Sequence, residues 1–83
     1  MLTFIDRYGF FDNKDNRFIG YIYKDKKSKR VFSIAKKMNV DIFYINELDE
    51  TFGPTDNTYS TLTAKSLDES KKLIGKIVEG YNE

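Results

Sequence analysis

The sequence predicts an α+β fold, an antiparallel β-meander of four to five strands with one C-terminal amphipathic helix packed on one face. Two observations lead to this prediction. Segments rich in Ile, Val, Phe and Tyr alternate with short turn-like stretches, and helical periodicity occurs only in the last part of the chain. Short connections between successive strands require antiparallel hairpins. The 83 residues are expected to form a single domain, residues 1–83, because so short a chain has material for one core.

The strands are predicted from residue type and from the turns between them. Residues 17–24 and 40–46 are dense in β-branched and aromatic side chains, and the stretches "DNKDN" and "KDKKSK" have the composition of turns. Gly9 is expected to mark a bulge or an end of the first strand. The predicted strands are 2–11, 17–24, 30–36, 40–46 and 58–65.

The helix is predicted over residues 67–81. Ser66 followed three residues later by Glu69 forms a capping box, and Gly80 is placed to end the helix. Gly75 inside the helix costs up to about 1 kcal/mol relative to alanine, so packing must hold this element. The residues that recur at helical spacing are Leu67, Ser70, Ile74, Ile77, Val78 and Tyr81.

Both faces of the predicted strands are apolar, although one helix covers only one face of a sheet. On strand 17–24 the alternation separates Phe18 and Ile22 from Tyr21 and Tyr23. The second face is therefore covered by the curvature of the sheet or by the 47–57 segment, or it contacts another chain. For the last case we expect a protein interface formed by Tyr21, Tyr23, Tyr44 and Ile19. A register error of one residue would move the interface to Phe18, Ile22 and Phe43.

Several classes of site are excluded by residue types that the sequence lacks. It contains no cysteine and no histidine, which removes disulfides, thiolate metal sites and Ser/His/Asp triads. No phosphate-binding glycine loop is present. We therefore expect no metal, no cofactor and no enzymatic activity. The lack of cysteine, of a visible export signal and of a long apolar stretch leads us to expect a cytoplasmic protein without a membrane segment.

Charge is unevenly distributed along the chain. Residues 1–40 contain ten Lys and Arg against four Asp and Glu, whereas residues 41–83 contain four against nine. The two halves either neutralise each other in the fold or form a dipolar surface that steers partners.

A nucleic-acid site is the alternative hypothesis. Aromatic side chains within a basic groove bind single strands by stacking. Tyr21, Tyr23 and Phe32 supply the rings, and the basic 24–37 hairpin supplies the cations. A hairpin with a solvated, lysine-rich turn explains the same pattern. The basic residues that would bind nucleic acid are Lys24, Lys26, Lys27, Lys29 and Arg30.

The segment "SIAKKMNVDIFYINELDE", residues 33–50, resembles the core of a helix-turn-helix DNA-binding unit. The resemblance depends on apolar residues at matching positions, and Asn39 stands where that family usually has glycine. It implies two short helices at 33–50, and the residues alone leave open whether 31–39 is strand or helix. The matching apolar residues are Ile34, Ala35, Met38, Val40, Ile45 and Leu48.

The leading hypothesis is a small, non-catalytic protein-interaction module that binds a partner protein, or a copy of itself, through an aromatic sheet face. Six Tyr and seven Phe are too many for so small a core, and aromatic residues are enriched in interfaces. The excess of lysine over arginine suggests an AT-rich genome, so we expect an accessory or inhibitor protein from a phage or mobile element. A small-molecule binder is a third possibility and requires a pocket.

Overall fold

The predicted α+β fold is confirmed. The computed structural model describes residues 2–80, except for the side chains at positions 54, 57, 58 and 60–62. One antiparallel sheet has the strand order β1-β2-β3-β4-β5, and one helix, α1, follows it. The elements are β1 Leu2–Phe11, β2 Arg17–Asp25, β3 Val31–Lys37, β4 Phe43–Leu48, β5 Pro54–Ala64 and α1 Leu67–Val78.

Three details of the predicted strands are wrong. β5 begins at Pro54 instead of residue 58. β4 begins at Phe43 because residues 38–42 form the connection from β3, in which Asn39 has a φ of 70° and the Val40 amide donates to the Lys37 carbonyl at 3.1 Å. Gly9 pairs regularly with Ile19, and the irregularity in β1 lies between Phe4 and Asp6.

Three of the connections between strands each contain an aspartate whose carboxylate accepts backbone amides of the turn. The Asp12 carboxylate accepts the amides of Lys14 and Asn16, both at 2.9 Å. Asp25 accepts the amide of Ser28 at 2.8 Å. Short acceptor side chains at this position stabilise tight turns. The sheet is therefore a continuous meander whose turns are held locally.

Asp49 makes the corresponding contacts in the β4–β5 connection. Its Oδ1 accepts the Thr51 hydroxyl at 2.7 Å, the Thr51 amide at 2.9 Å and the Gly53 amide at 2.8 Å. These hydrogen bonds, that of the Thr51 hydroxyl first, lower the pKa of Asp49.

The helix begins and ends where the sequence signals place it, within two or three residues. Ser66 is the N-cap, and its hydroxyl accepts the Glu69 amide at 3.1 Å. Gly80 follows the last turn and has a φ of 99°. Helices commonly end with a residue in the left-handed backbone conformation, which glycine adopts readily. The predicted last residue, position 81, lies outside the described residues.

The core lies between α1 and the side of the sheet that faces it. The helix packs on β3, β4 and β5. Ile74 and Ile77 supply the buried helix side chains, as their spacing predicted. The buried sheet residues of this core are Tyr23, Phe32, Ile34, Phe43, Ile45 and Ala64.

Candidate protein interface

The structure corrects the predicted grouping of Tyr21, Tyr23, Tyr44 and Ile19 on one uncovered face. Tyr21 pairs with Ile34 and Tyr23 with Phe32, so β2 presents Ile19, Tyr21 and Tyr23 on the helix side. Tyr23 is only 5 % exposed and belongs to the core.

Tyr44 lies on the opposite face of the sheet. It pairs with Ala35, whereas its neighbour Ile45 pairs with the core residue Ile34. Its side chain is 43 % exposed. Of the four predicted interface residues, Tyr44 is therefore the one that is exposed on the face away from the helix, and its contact with a partner stays a prediction.

Exposed aromatic surface is concentrated on β1 and the adjoining part of β2. We call residues 4–11 and 17–22 the aromatic arm. Because β1 is an edge strand and α1 packs on β3 to β5, the arm extends beyond the helix. Phe4, Phe10 and Phe11 are 52 %, 39 % and 67 % exposed. These residues are not among the interface residues predicted from the sequence, although the adjacent aromatics in "RYGFF", residues 7–11, could have identified Phe10 and Phe11.

A ring stack covers the face of the arm that points away from the helix. The centroids of Tyr8 and Phe10 are 5.7 Å apart, and those of Phe10 and Phe18 are 5.1 Å apart with an interplanar angle of 8°. Gly20 lies beneath Tyr8, where an added Cβ would come within 2.3 Å of the ring. The stack holds Phe10 in one orientation while leaving it accessible.

The helix side of the arm contains a shallow cleft of about 380 Å³. Arg7, Arg17, Ile19 and Met38 line it, together with Gly9, which contributes no side chain. The Arg7 and Arg17 side chains are exposed. The arm therefore presents the ring stack on one face and an apolar cleft between two cations on the other. Phe11 pairs with Arg17 and so lies on the face of the cleft.

The lysine-rich connection between β2 and β3 lies far from the ring stack. Lys26, Lys27 and Lys29 are exposed at the β2–β3 connection, whereas Phe18 lies at the other end of β2. At about 3.4 Å per residue, Lys24 and Phe18 are about 20 Å apart. The structure does not bring the predicted lysines and the stacked rings into one groove.

Arg30, the fifth residue of the predicted nucleic-acid site, is engaged within the protein. Its Nε and Nη2 donate to the two carboxylate oxygens of Glu47 at 2.9 and 2.7 Å, and the Tyr59 hydroxyl donates to Glu47 at 3.1 Å. The hydrogen bonds to Glu47 raise the pKa of Arg30, while burial is the main cause of a raised pKa at Tyr59. The basic and acidic halves of the chain thus neutralise each other here.

The helix-turn-helix resemblance at 33–50 is contradicted. This segment contains β3 and β4, joined by the connection in which Asn39 has a positive φ. Ile34 and Ile45 pair across the two strands and are buried beneath α1. Of the six matching apolar residues, Met38 and Val40 lie in the connection and the others in the two strands, so the apolar pattern alone does not distinguish a helical unit from a strand pair.

Within residues 2–80, no group of three or more acidic side chains is placed to hold a metal ion. None of the helices described is long and apolar enough to cross a membrane. No protein-family model, curated protein or solved structure matches the chain.

Proposed function

We propose that the chain is a non-catalytic protein-interaction module that binds a partner protein through the aromatic arm. The exposure of Phe10 and Phe11 on an edge strand beyond the helix is the observation that carries this proposal. Large aromatic side chains supply much of the binding energy in interfaces because they bury a large area when water is excluded.

The rigidity of the arm supports the same function. Phe10 lies between Tyr8 and Phe18, so its ring already packs against two neighbouring rings in the absence of a partner. A side chain that is already ordered loses less entropy on binding. The ring stack is therefore suited to act as a preformed contact.

The charges of the arm favour a protein over a nucleic acid as its partner. Asp6 lies next to Arg7 on β1, and Asp12 follows directly after Phe11. A nucleic-acid surface requires an excess of cations because affinity comes mainly from phosphate neutralisation. Exposed rings surrounded by charges of both signs are consistent with a protein interface, which has an aromatic-rich core and a polar rim.

The experiment compares two phenylalanine variants in partner capture from an extract of the source organism. Phe10→Ser combined with Phe11→Ser changes the arm, and Phe52→Ser changes a ring that is 49 % exposed in the β4–β5 connection. We expect the wild type and the Phe52 variant to retain the same protein, and the arm variant to lose at least tenfold in affinity, about 1.4 kcal/mol. Equal capture by a folded arm variant would refute the proposal.

A second candidate is nucleic-acid binding through the β2–β3 turn. Lys26, Lys27 and Lys29 are exposed and form no ion pair within the described part of the chain, which favours this candidate. Arg30 takes no part in it because its guanidinium binds Glu47. A cytoplasmic location and an accessory or inhibitory role in a phage or mobile element belong to the main proposal and are supported by the sequence alone.

A further inference from the structure

The cleft on the helix side of the arm has two arginines on either side of a glycine. Gly9 pairs with Ile19, Arg7 with Tyr21 and Phe11 with Arg17. Both arginines therefore lie on the same side of the two strands as the position where a Gly9 side chain would project. Along the strands they are about 13 Å apart, at about 3.3 Å per residue, which two extended arginine side chains can bridge toward a common ligand.

Gly9 is not required by the fold. Its φ lies outside the left-handed region, and an added Cβ would meet only the Phe18 carbonyl oxygen, at an ordinary 3.6 Å. Gly20 differs, because the Tyr8 ring occupies the space above it. A glycine weakens a strand, and where its backbone is unstrained it often marks the close approach of a ligand or another chain. At position 9 the missing side chain keeps the floor of the cleft open.

The two guanidinium groups have no anionic partner within residues 2–80. The ion pairs described there involve Arg30 and Lys36, and neither Arg7 nor Arg17 takes part in one. Arginine binds carboxylates through paired N–H donors, and its preference for this geometry is stronger than that of lysine. Ile19 and Met38 add apolar side chains to the lining, to which Tyr8 and Phe18 also belong.

We infer that this cleft binds a carboxylate side chain from an extended acidic segment of the partner protein, with an adjacent aliphatic side chain against Ile19 and Met38. The inference rests on the proposed function, since it assigns the chemistry of the partner that the arm binds. Charge complementarity supports an acidic occupant, and the apolar lining favours a peptide in which acidic and aliphatic residues alternate.

The test uses the full chain and an N-acetylated, C-amidated peptide Leu-Glu-Leu-Asp-Leu, followed by nuclear magnetic resonance. We expect the peptide to shift the Gly9 amide, the Arg7 and Arg17 Nε resonances and the Met38 methyl. The matched peptide Leu-Gln-Leu-Asn-Leu should shift none of them. Equal shifts with both peptides, or shifts confined to Lys26, would overturn the inference, as would tighter binding of inorganic phosphate or oligo(dT) in the cleft.

Variants separate the cleft from the rest of the arm. Arg7→Ala combined with Arg17→Ala should weaken peptide binding at least tenfold, and Gly9→Val should block it by filling the floor. Lys14→Ala, which removes an exposed cation from the neighbouring turn, serves as the control and should bind as the wild type does. If Gly9→Val does not fold, the arginine variant decides alone.

Partner capture distinguishes failure of this inference from failure of the proposed function. If the arginine variant retains the partner at wild-type affinity while the Phe10 and Phe11 variant loses it, the cleft assignment is wrong and the arm remains the interface. If the phenylalanine variant captures the partner normally, the proposed function itself fails.

Discussion

Gly9 and Gly20 lie on neighbouring strands and differ in what surrounds their missing side chains. Gly20 is buried beneath the Tyr8 ring, while Gly9 opens onto the cleft. From the sequence alone both were glycines in apolar strands, and only the pairing of β1 with β2 places Tyr8 over one of them. The sequence alone therefore does not show what surrounds a glycine in a strand, because close contacts between strands depend on their register.

A pair of alanine variants tests this difference. Gly9→Ala should be neutral or should stabilise the protein by up to about 1 kcal/mol, because alanine loses less backbone entropy on folding. Gly20→Ala should displace the Tyr8 ring and disturb its stacking on Phe10. Urea unfolding gives the stability, and near-ultraviolet circular dichroism reports the rings. An unchanged ring signal in Gly20→Ala would contradict the described contact.

The turn aspartates make stability depend on pH. Hydrogen bonds from Thr51 and Gly53 lower the pKa of Asp49 below its ordinary value, so its carboxylate stabilises the fold above about pH 4 and loses this effect as the pH falls. We expect Asp49→Ala to be less stable than the wild type at pH 7, with the difference shrinking toward pH 2. Urea unfolding at several pH values measures it, and a difference that does not change with pH would rule out this role.

At the scale of elements, the sequence predicts the helix and the bounds of β1, β2 and β3, whereas it does not predict which face of the sheet the helix covers. The capping box of Ser66 and Glu69 and the helical spacing of apolar residues define α1 in the sequence. The strands show apolar residues on both sides, so alternation does not indicate the buried side. Tyr21 and Tyr23 were assigned to the uncovered face for this reason, and they lie instead on the face against which α1 packs.

The helix should contribute strongly to stability through its buried side chains. Ile74 is fully buried against the sheet, so Ile74→Ala should lower the free energy of unfolding by about 2 to 5 kcal/mol. Lys72→Ala changes an exposed position on the same helix and should stay within about 0.5 kcal/mol of the wild type. Comparable stability of both variants in urea would show that α1 is not part of the core.

At the scale of the whole molecule, the charge division is partly neutralised and partly left exposed. Arg30 with Glu47 and Lys36 with Asp41 join the basic and acidic halves. The lysines of the β2–β3 turn remain in solvent, at the far end of β2 from the ring stack. The sequence predicted both possibilities for the charges, and only the pairing of β3 with β4 brings Arg30 and Glu47 together.

If the protein binds nucleic acid, we expect these lysines to contact the phosphates. Three phosphate contacts give a slope of about −2.7 in log K against log salt on duplex DNA, at about −0.9 for each contact. Changing Lys26, Lys27 and Lys29 to glutamate should abolish retention, and fluorescence anisotropy over a range of salt concentrations measures both effects. Unchanged retention by the triple variant would exclude the turn as the binding surface.

Hydroxyl-radical footprinting tests most directly whether the aromatic arm is the partner-binding surface. The purified chain is labelled in buffer and in an extract of the source organism, and oxidation of each phenylalanine is measured by mass spectrometry. Phe52 provides an internal control because it is comparably exposed and lies outside the arm. We expect oxidation of Phe10 and Phe11 to fall in the extract while that of Phe52 is unchanged. Equal oxidation of Phe10 and Phe11 in both conditions, or protection of Phe52 instead, would contradict it.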